Sequence, residues 1–114
     1  MKKISKGLMS GSTSLLVLHL INSRDMYGYE IVKELESRSE NVFSLKEGTL
    51  YPVLHSLENN GLVTSYEKLA ETGKLRKYYS ITKKGRTSLA EKKAEWEIFS
   101  KSVNKVIGGL SYAG

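Results

Sequence analysis

Apolar residues recur at helical spacing along most of this chain and give way to strand-like runs in one region. From Glu47 to Asn59, Leu50, Val53, Leu54 and Leu57 make a single apolar stripe. The opposite face carries Thr49, Tyr51, Pro52, His55, Ser56 and Asn59, with no charge among them. Asn60-Gly61 ends the helix, since glycine accepts the left-handed backbone of a C-terminal cap. Pro52 cannot donate to the carbonyl of Gly48, so the helix begins close to Gly48 or bends there. Ser44-Leu-Lys-Glu47 has capping-box spacing and offers an earlier start. Leu62 to Lys68 and Leu75 to Ile81 are rich in Tyr, Val, Thr and Ile, and the loop Leu69–Lys74 between them carries Gly73, so the pair predicts a hairpin.

Upstream, Ser12 suits the N-cap of a helix over Thr13–Asn22 that is apolar almost all round and therefore central. His19 within it is expected to be a core histidine rather than a ligand. Ser23 to Met26 predicts a turn. A second helix over Gly28–Arg38 turns Ile31 and Leu35 inward and Glu30, Lys33, Glu34 and Glu36 outward. The link Ser39–Ser44 is expected to be pinned to the core by Val42 and Phe43. Residues 1–9 predict a frayed basic tail with Lys2, Lys3 and Lys6, able to lie along a phosphate backbone.

After the hairpin, Thr82 suits the N-cap of a long helix that tolerates Gly85 early. Leu89, Trp96, Val103 and Leu110 are spaced by sevens; Phe99 and Val106 extend a second seam that Lys92 interrupts. A domain this small has little core left for so long a seam, which predicts self-association, with two-fold symmetry the commonest form. The expected fold is mainly α (α+β): a winged helix-turn-helix over residues 1–82, and a C-terminal dimerisation helix over 83–114 packed on the same domain.

The 114 residues carry a net charge of +6 and no Cys, which excludes disulfides and thiolate chemistry and fits a cytoplasmic protein. Between Leu62 and Arg86, seven cations (Lys68, Lys74, Arg76, Lys77, Lys83, Lys84, Arg86) face only Glu67 and Glu71, a local net of +5. A basic hairpin beside an uncharged helix face points to nucleic acid, because phosphates attract cations with a large counterion-release contribution. The apolar run Leu15–Ile21, broken by His19, is too short to span a membrane and lacks a cleavage pattern. His19 and His55 lie on different helices, and neither a metal cluster, a glycine-rich phosphate loop nor a serine elbow appears. No enzyme activity, metal or cofactor is expected. A winged helix that binds protein instead of DNA is the rival, though it would not need so many wing cations.

Three segments resemble the PadR family of bacterial transcriptional regulators: Tyr27-Gly-Tyr-Glu-Ile-Val-Lys-Glu-Leu35, Gly48-Thr-Leu-Tyr-Pro-Val-Leu54 with Leu57–Val63, and Lys77-Tyr-Tyr-Ser-Ile-Thr-Lys-Lys-Gly-Arg86. Their order and spacing match as well. The family often carries Arg or Lys near positions 55 and 56, where this chain has His55 and Ser56. The resemblance implies a homodimeric regulator, more often a repressor, whose two reading helices enter successive major grooves of a palindromic site in double-stranded DNA. Lys6, Tyr29, Gly48, Thr49, Tyr51, Pro52, His55, Lys74, Arg76 and Lys77 are the expected DNA-binding residues. Thr49 and Tyr51 are assigned to base edges or sugars, Lys74, Arg76 and Lys77 to phosphates. Tyr29 lies where free N–H groups at a helix start can meet a phosphate, but core positions suit Tyr27 and Tyr29 equally.

The chain resembles the short PadR subfamily, whose last helix is the dimer element: here Leu89, Trp96, Phe99, Val103, Val106 and Leu110. Trp96 is the sole tryptophan. It suits a hydrophobic anchor of that interface. Among multidrug-sensing repressors of the subfamily, a tryptophan on this helix stacks on planar aromatic compounds. That implies an effector slot lined by Leu16, Trp96, Phe99, Ser100 and Val103, with Glu95 or Glu97 at its mouth.

Overall fold

The computed structural model describes residues 4–108. Its elements in chain order are α1 (Lys6–Ser10), α2 (Thr13–Ser23), β1 (Met26–Tyr27), α3 (Gly28–Arg38), α4 (Glu47–Asn59), β2 (Val63–Leu69), β3 (Leu75–Ile81) and α5 (Lys83–Ile107). The predicted α+β winged helix-turn-helix is the observed fold. Helix α2 is its hub, burying Val17, Leu18, Leu20 and Ile21 against α3, α5 and β3. Helices α3 and α4 add Ile31, Leu35, Leu50, Leu54 and Leu57 to the same core. Leu45, in the extended link before α4, is buried too, and Phe43 packs against the core beside it.

The sheet is antiparallel in the order β1-β3-β2. Because side chains alternate along strands, one row faces inward and the next outward. Met26, paired with Tyr79, and Val63, paired with Ile81, lie on the core side, with Met26, Tyr79 and Val63 fully enclosed. The outward row is Tyr27, Tyr78 and Tyr66, one residue from each strand. Helix α5 is capped by Thr82, whose hydroxyl accepts from the Gly85 amide at 2.9 Å and lies 2.7 Å from the Gly61 carbonyl. Only Gly85 and Leu89 of α5 are buried; the helix then projects from the body, and the molecule measures 56 × 33 × 21 Å.

Several expectations are corrected. Lys6–Ser10 is a short helix capped by Ser5, where a frayed tail was expected; residues 1–3, and with them Lys2 and Lys3, lie outside the described residues. Ser12 does occupy the N-cap position of α2, but its hydroxyl makes no cap bond and instead donates to the Met9 carbonyl at 3.1 Å, tying α1 to α2. The segment expected as a plain turn ends in a strand, because Met26 pairs with Tyr79. His19 is exposed, with Val17, Leu18, Leu20 and Ile21 taking the inner positions around it. Helix α4 starts at Glu47, close to Gly48; the earlier start at Ser44 is not used, since that link stays extended to bury Leu45. Strand β2 begins at Val63, one residue late, because Leu62 donates its amide to Leu57 at the end of α4. Leu110 lies outside the described residues.

Candidate nucleic-acid interface

Helix α4 buries its apolar stripe and exposes Gly48, Thr49, Tyr51, Pro52, His55, Ser56 and Asn59. The amides of Thr49 and Leu50 both bond the Lys46 carbonyl at 2.9 Å, which sets the first turn. Pro52 then falls in the second turn and leaves the Gly48 carbonyl without its usual donor. Gly48 is exposed, so water can satisfy that carbonyl and the proline is tolerated.

Tyr51 does not project freely. Its hydroxyl donates to the Glu47 carboxylate at 3.1 Å, and its ring lies against the backbone of Gly28 at the start of α3. Burial, then the bond to Glu47, raises the Tyr51 phenol above its ordinary pKa, so it stays protonated. Tyr29 is half exposed, and the Lys33 ammonium lies 5.6 Å from its ring centre. Tyr29 is thus a surface residue of α3, while Tyr27 is partly covered within the sheet's outward row.

The hairpin carries Lys74 at its loop and Lys77 on β3, both exposed. The loop closes through Ala70 and Lys74, with Gly73 at φ 89°, a left-handed backbone that glycine accepts without strain. Lys77 and Lys68 lie over the rings of Tyr79 and Tyr78, at 5.8 and 5.5 Å from their centres, and Arg76 is held more closely still. Its guanidinium stacks 4.3 Å from the Tyr27 ring centre and donates to the Tyr27 hydroxyl. That contact begins a row across the sheet. Tyr27 meets Tyr78 edge-on at 5.3 Å, Tyr78 stacks on Tyr66 at 5.7 Å, and Tyr66 donates to Asp25 at 2.7 Å. The Asp25 bond, foremost, raises the Tyr66 phenol above its ordinary pKa. Arg76 therefore braces the wing against the start of α3. Sequence reasoning missed this row; its signal was the cross-strand register of the three tyrosines, which cannot be read until β1 is known to exist. Lys6 stands apart from α4 and the hairpin in packing terms, on a helix that leans on α2.

A second feature lies on the far flank. Between α1, the start of α2 and α5 runs an open groove of 690 Å³, bordered by Leu8, Leu15, Trp96, Phe99, Ser100 and Val103. Trp96 and Phe99 lie 6.0 Å apart, centre to centre. Glu95 borders the groove. Leu15 occupies the wall expected for Leu16, which lies outside the groove lining, and Glu97 does not border it. Outside the groove, Val106 is 85% exposed and Ile107 69%. No helix among the described residues is long and apolar enough to cross a membrane, and no cluster of three His, Cys, Asp or Glu residues there suits a metal.

The sequence profile of the transcriptional regulator PadR-like family matches residues 17–91. An uncharacterized protein of Lysinibacillus sphaericus is 35% identical over 107 residues, covering 94% of this chain and 98% of its own length. Transcriptional regulator Rv3488 of Mycobacterium tuberculosis is 33% identical, covering 86% of this chain and 85% of its own. Among solved structures, a transcriptional regulator from Clostridium thermocellum superposes with a TM-score of 0.81 at 37% identity, covering 90% of this chain and 96% of that one.

Proposed function

The chain belongs to the PadR-like family of transcriptional regulators, and from that premise we propose that it is a homodimeric, sequence-specific repressor that reads a palindromic site through α4. The observation that carries the reading is the exposed polar face of α4, with one carboxylate, Glu47, in its first turn, beside a hairpin that exposes Lys74 and Lys77. Thr49, Tyr51, Pro52 and His55 approach base edges, with Gly48 letting the backbone come close. Lys74 and Lys77 hold flanking phosphates, Tyr29 and the start of α3 a further one, and Lys6 an outer one. Arg76 contributes mainly by holding the wing in place.

The dimer element is α5, joining two copies through Trp96, Phe99, Val103 and Val106; Leu89, also expected in that seam, is buried in the subunit's own core instead. The exposed apolar surface of α5 supports this reading, since a face of that size is seldom left open in a soluble monomer. Planar aromatic compounds enter a slot at the dimer axis, between the Trp96 indoles of the two subunits. They change the angle between subunits, and so release DNA by their preference for one arrangement.

Selection of bound sequences from random duplexes tests the first claim. A two-fold palindrome with half-sites about one helical turn apart is the expected outcome. Absence of enrichment would favour a wing that binds protein. Titration with planar cationic dyes tests the second: Trp96 fluorescence should quench at micromolar dye, and Trp96→Ala should lose binding. Unchanged affinity in that variant would leave Trp96 as interface packing alone.

A further inference from the structure

Tyr51 is fixed at two points on the exposed side of α4. Its hydroxyl donates to Glu47, one turn back on the same helix, at 3.1 Å. Its ring is seated on Gly28 so closely that a Cβ there would come within 2.7 Å of the phenolic oxygen and 3.1 Å of Cζ. A phenol has one proton to donate and lone pairs to accept with. With the proton directed at Glu47, the oxygen presents only lone pairs to an approaching molecule. Glu47 also sets a negative charge in the first turn of α4, where it repels phosphate oxygens. Both effects turn Tyr51 away from the DNA backbone and toward hydrogen-bond donors.

In the major groove those donors are the amino groups of adenine N6 and cytosine N4. Guanine presents acceptors at O6 and N7, and thymine an acceptor at O4 with a methyl group. Resting on the reading of α4 as the DNA-reading helix, we propose that Glu47 is a specificity-determining residue: it holds Tyr51 as a hydrogen-bond acceptor, so the base opposite Tyr51 carries an amino group. Gly28 is its positioning partner, because only a residue without Cβ leaves room for the ring. Preference for adenine or cytosine over guanine or thymine at that position should be roughly tenfold, the scale of one good base contact.

The test compares selected sites for the full-length parent, Tyr51→Phe, Glu47→Ala and Glu47→Gln. Tyr51→Phe identifies the position in each half-site that depends on the hydroxyl. The parent should enrich adenine or cytosine there. Glu47→Ala frees the hydroxyl to donate, so guanine and thymine should rise to near parity. Glu47→Gln keeps an acceptor for the phenol while removing the same charge, so it should retain the parent preference. Identical profiles for the Ala and Gln variants would mean that Glu47 acts by charge alone or not at all, and would overturn the proposal. So would a parent preference for guanine or thymine at the Tyr51-dependent position. If the parent enriches no sequence, the reading of α4 itself fails, an outcome distinct from any change among variants.

Discussion

At Gly85 the first turn of α5 runs against the Leu62 carbonyl and the Ile81 side chain, both too near to admit a Cβ. The Gly85 amide also satisfies the Thr82 cap, so the helix cannot shift without losing that bond. Gly85→Ala should cost about 1–3 kcal/mol, the usual range for overpacking, as measured by urea unfolding. Gly48→Ala provides the contrast. Its Cβ would meet open space, and it should stabilise the protein by up to about 1 kcal/mol through the unfolded chain. His19 gives a pH dependence of known sign. Partial desolvation, foremost, with the charges of Lys93 and Arg38, holds the imidazole of this largely exposed histidine below its ordinary value of 6.5. The folded state thus favours the neutral ring, and the unfolded chain binds the proton more readily. This contribution is complete above pH 6.5 and is lost as pH falls through the depressed value. His19→Gln should remove that part of the acid-side decline in thermal unfolding.

The hairpin divides its cations between two tasks. Lys74 and Lys77 are exposed and are the proposed phosphate contacts, whereas Arg76 is stacked on Tyr27. Lys74→Ala and Lys77→Ala should each lower the slope of log affinity against log salt by about 0.9, with little change in discrimination between sites. Arg76→Ala should change that slope less and instead speed amide exchange in β3, because it releases the tyrosine row from the start of α3. If Arg76→Ala lowers the slope as much as Lys74→Ala and leaves exchange in β3 unaltered, its bracing role is wrong.

For the molecule as a whole, the projecting half of α5 is the decisive feature. Trp96, Ile98, Phe99, Val106 and Ile107 are all substantially exposed on a helix whose buried anchors end at Leu89. On the proposed reading a second copy covers this helix, so stability should depend on protein concentration. Val103→Glu with Val106→Glu should yield monomers in sedimentation, since like charges would meet across the seam. A double variant that still sediments as a stable dimer would remove α5 as the dimer element. The groove beside Trp96 would then belong to each subunit separately.

Periodicity alone determined α3 from Gly28 to Arg38, the buried stripe and bare polar face of α4, the hairpin strands, and the Thr82 cap, because each depends on neighbours within a turn or a strand pair. The three family-like segments fixed the class of molecule for the same reason: their residues lie in one register along the chain. What escaped the sequence depends on partners far apart in it. Met26 becomes a strand only by meeting Tyr79, and Tyr51 finds Gly28 only once α3 and α4 pack. Arg76 reaches Tyr27 only across the finished sheet. His19 was misplaced because α2 is apolar nearly all round, so its pattern names no inner face. The packing of α3, α5 and β3 around α2 chose that face, and with it which of Leu15 and Leu16 borders the groove.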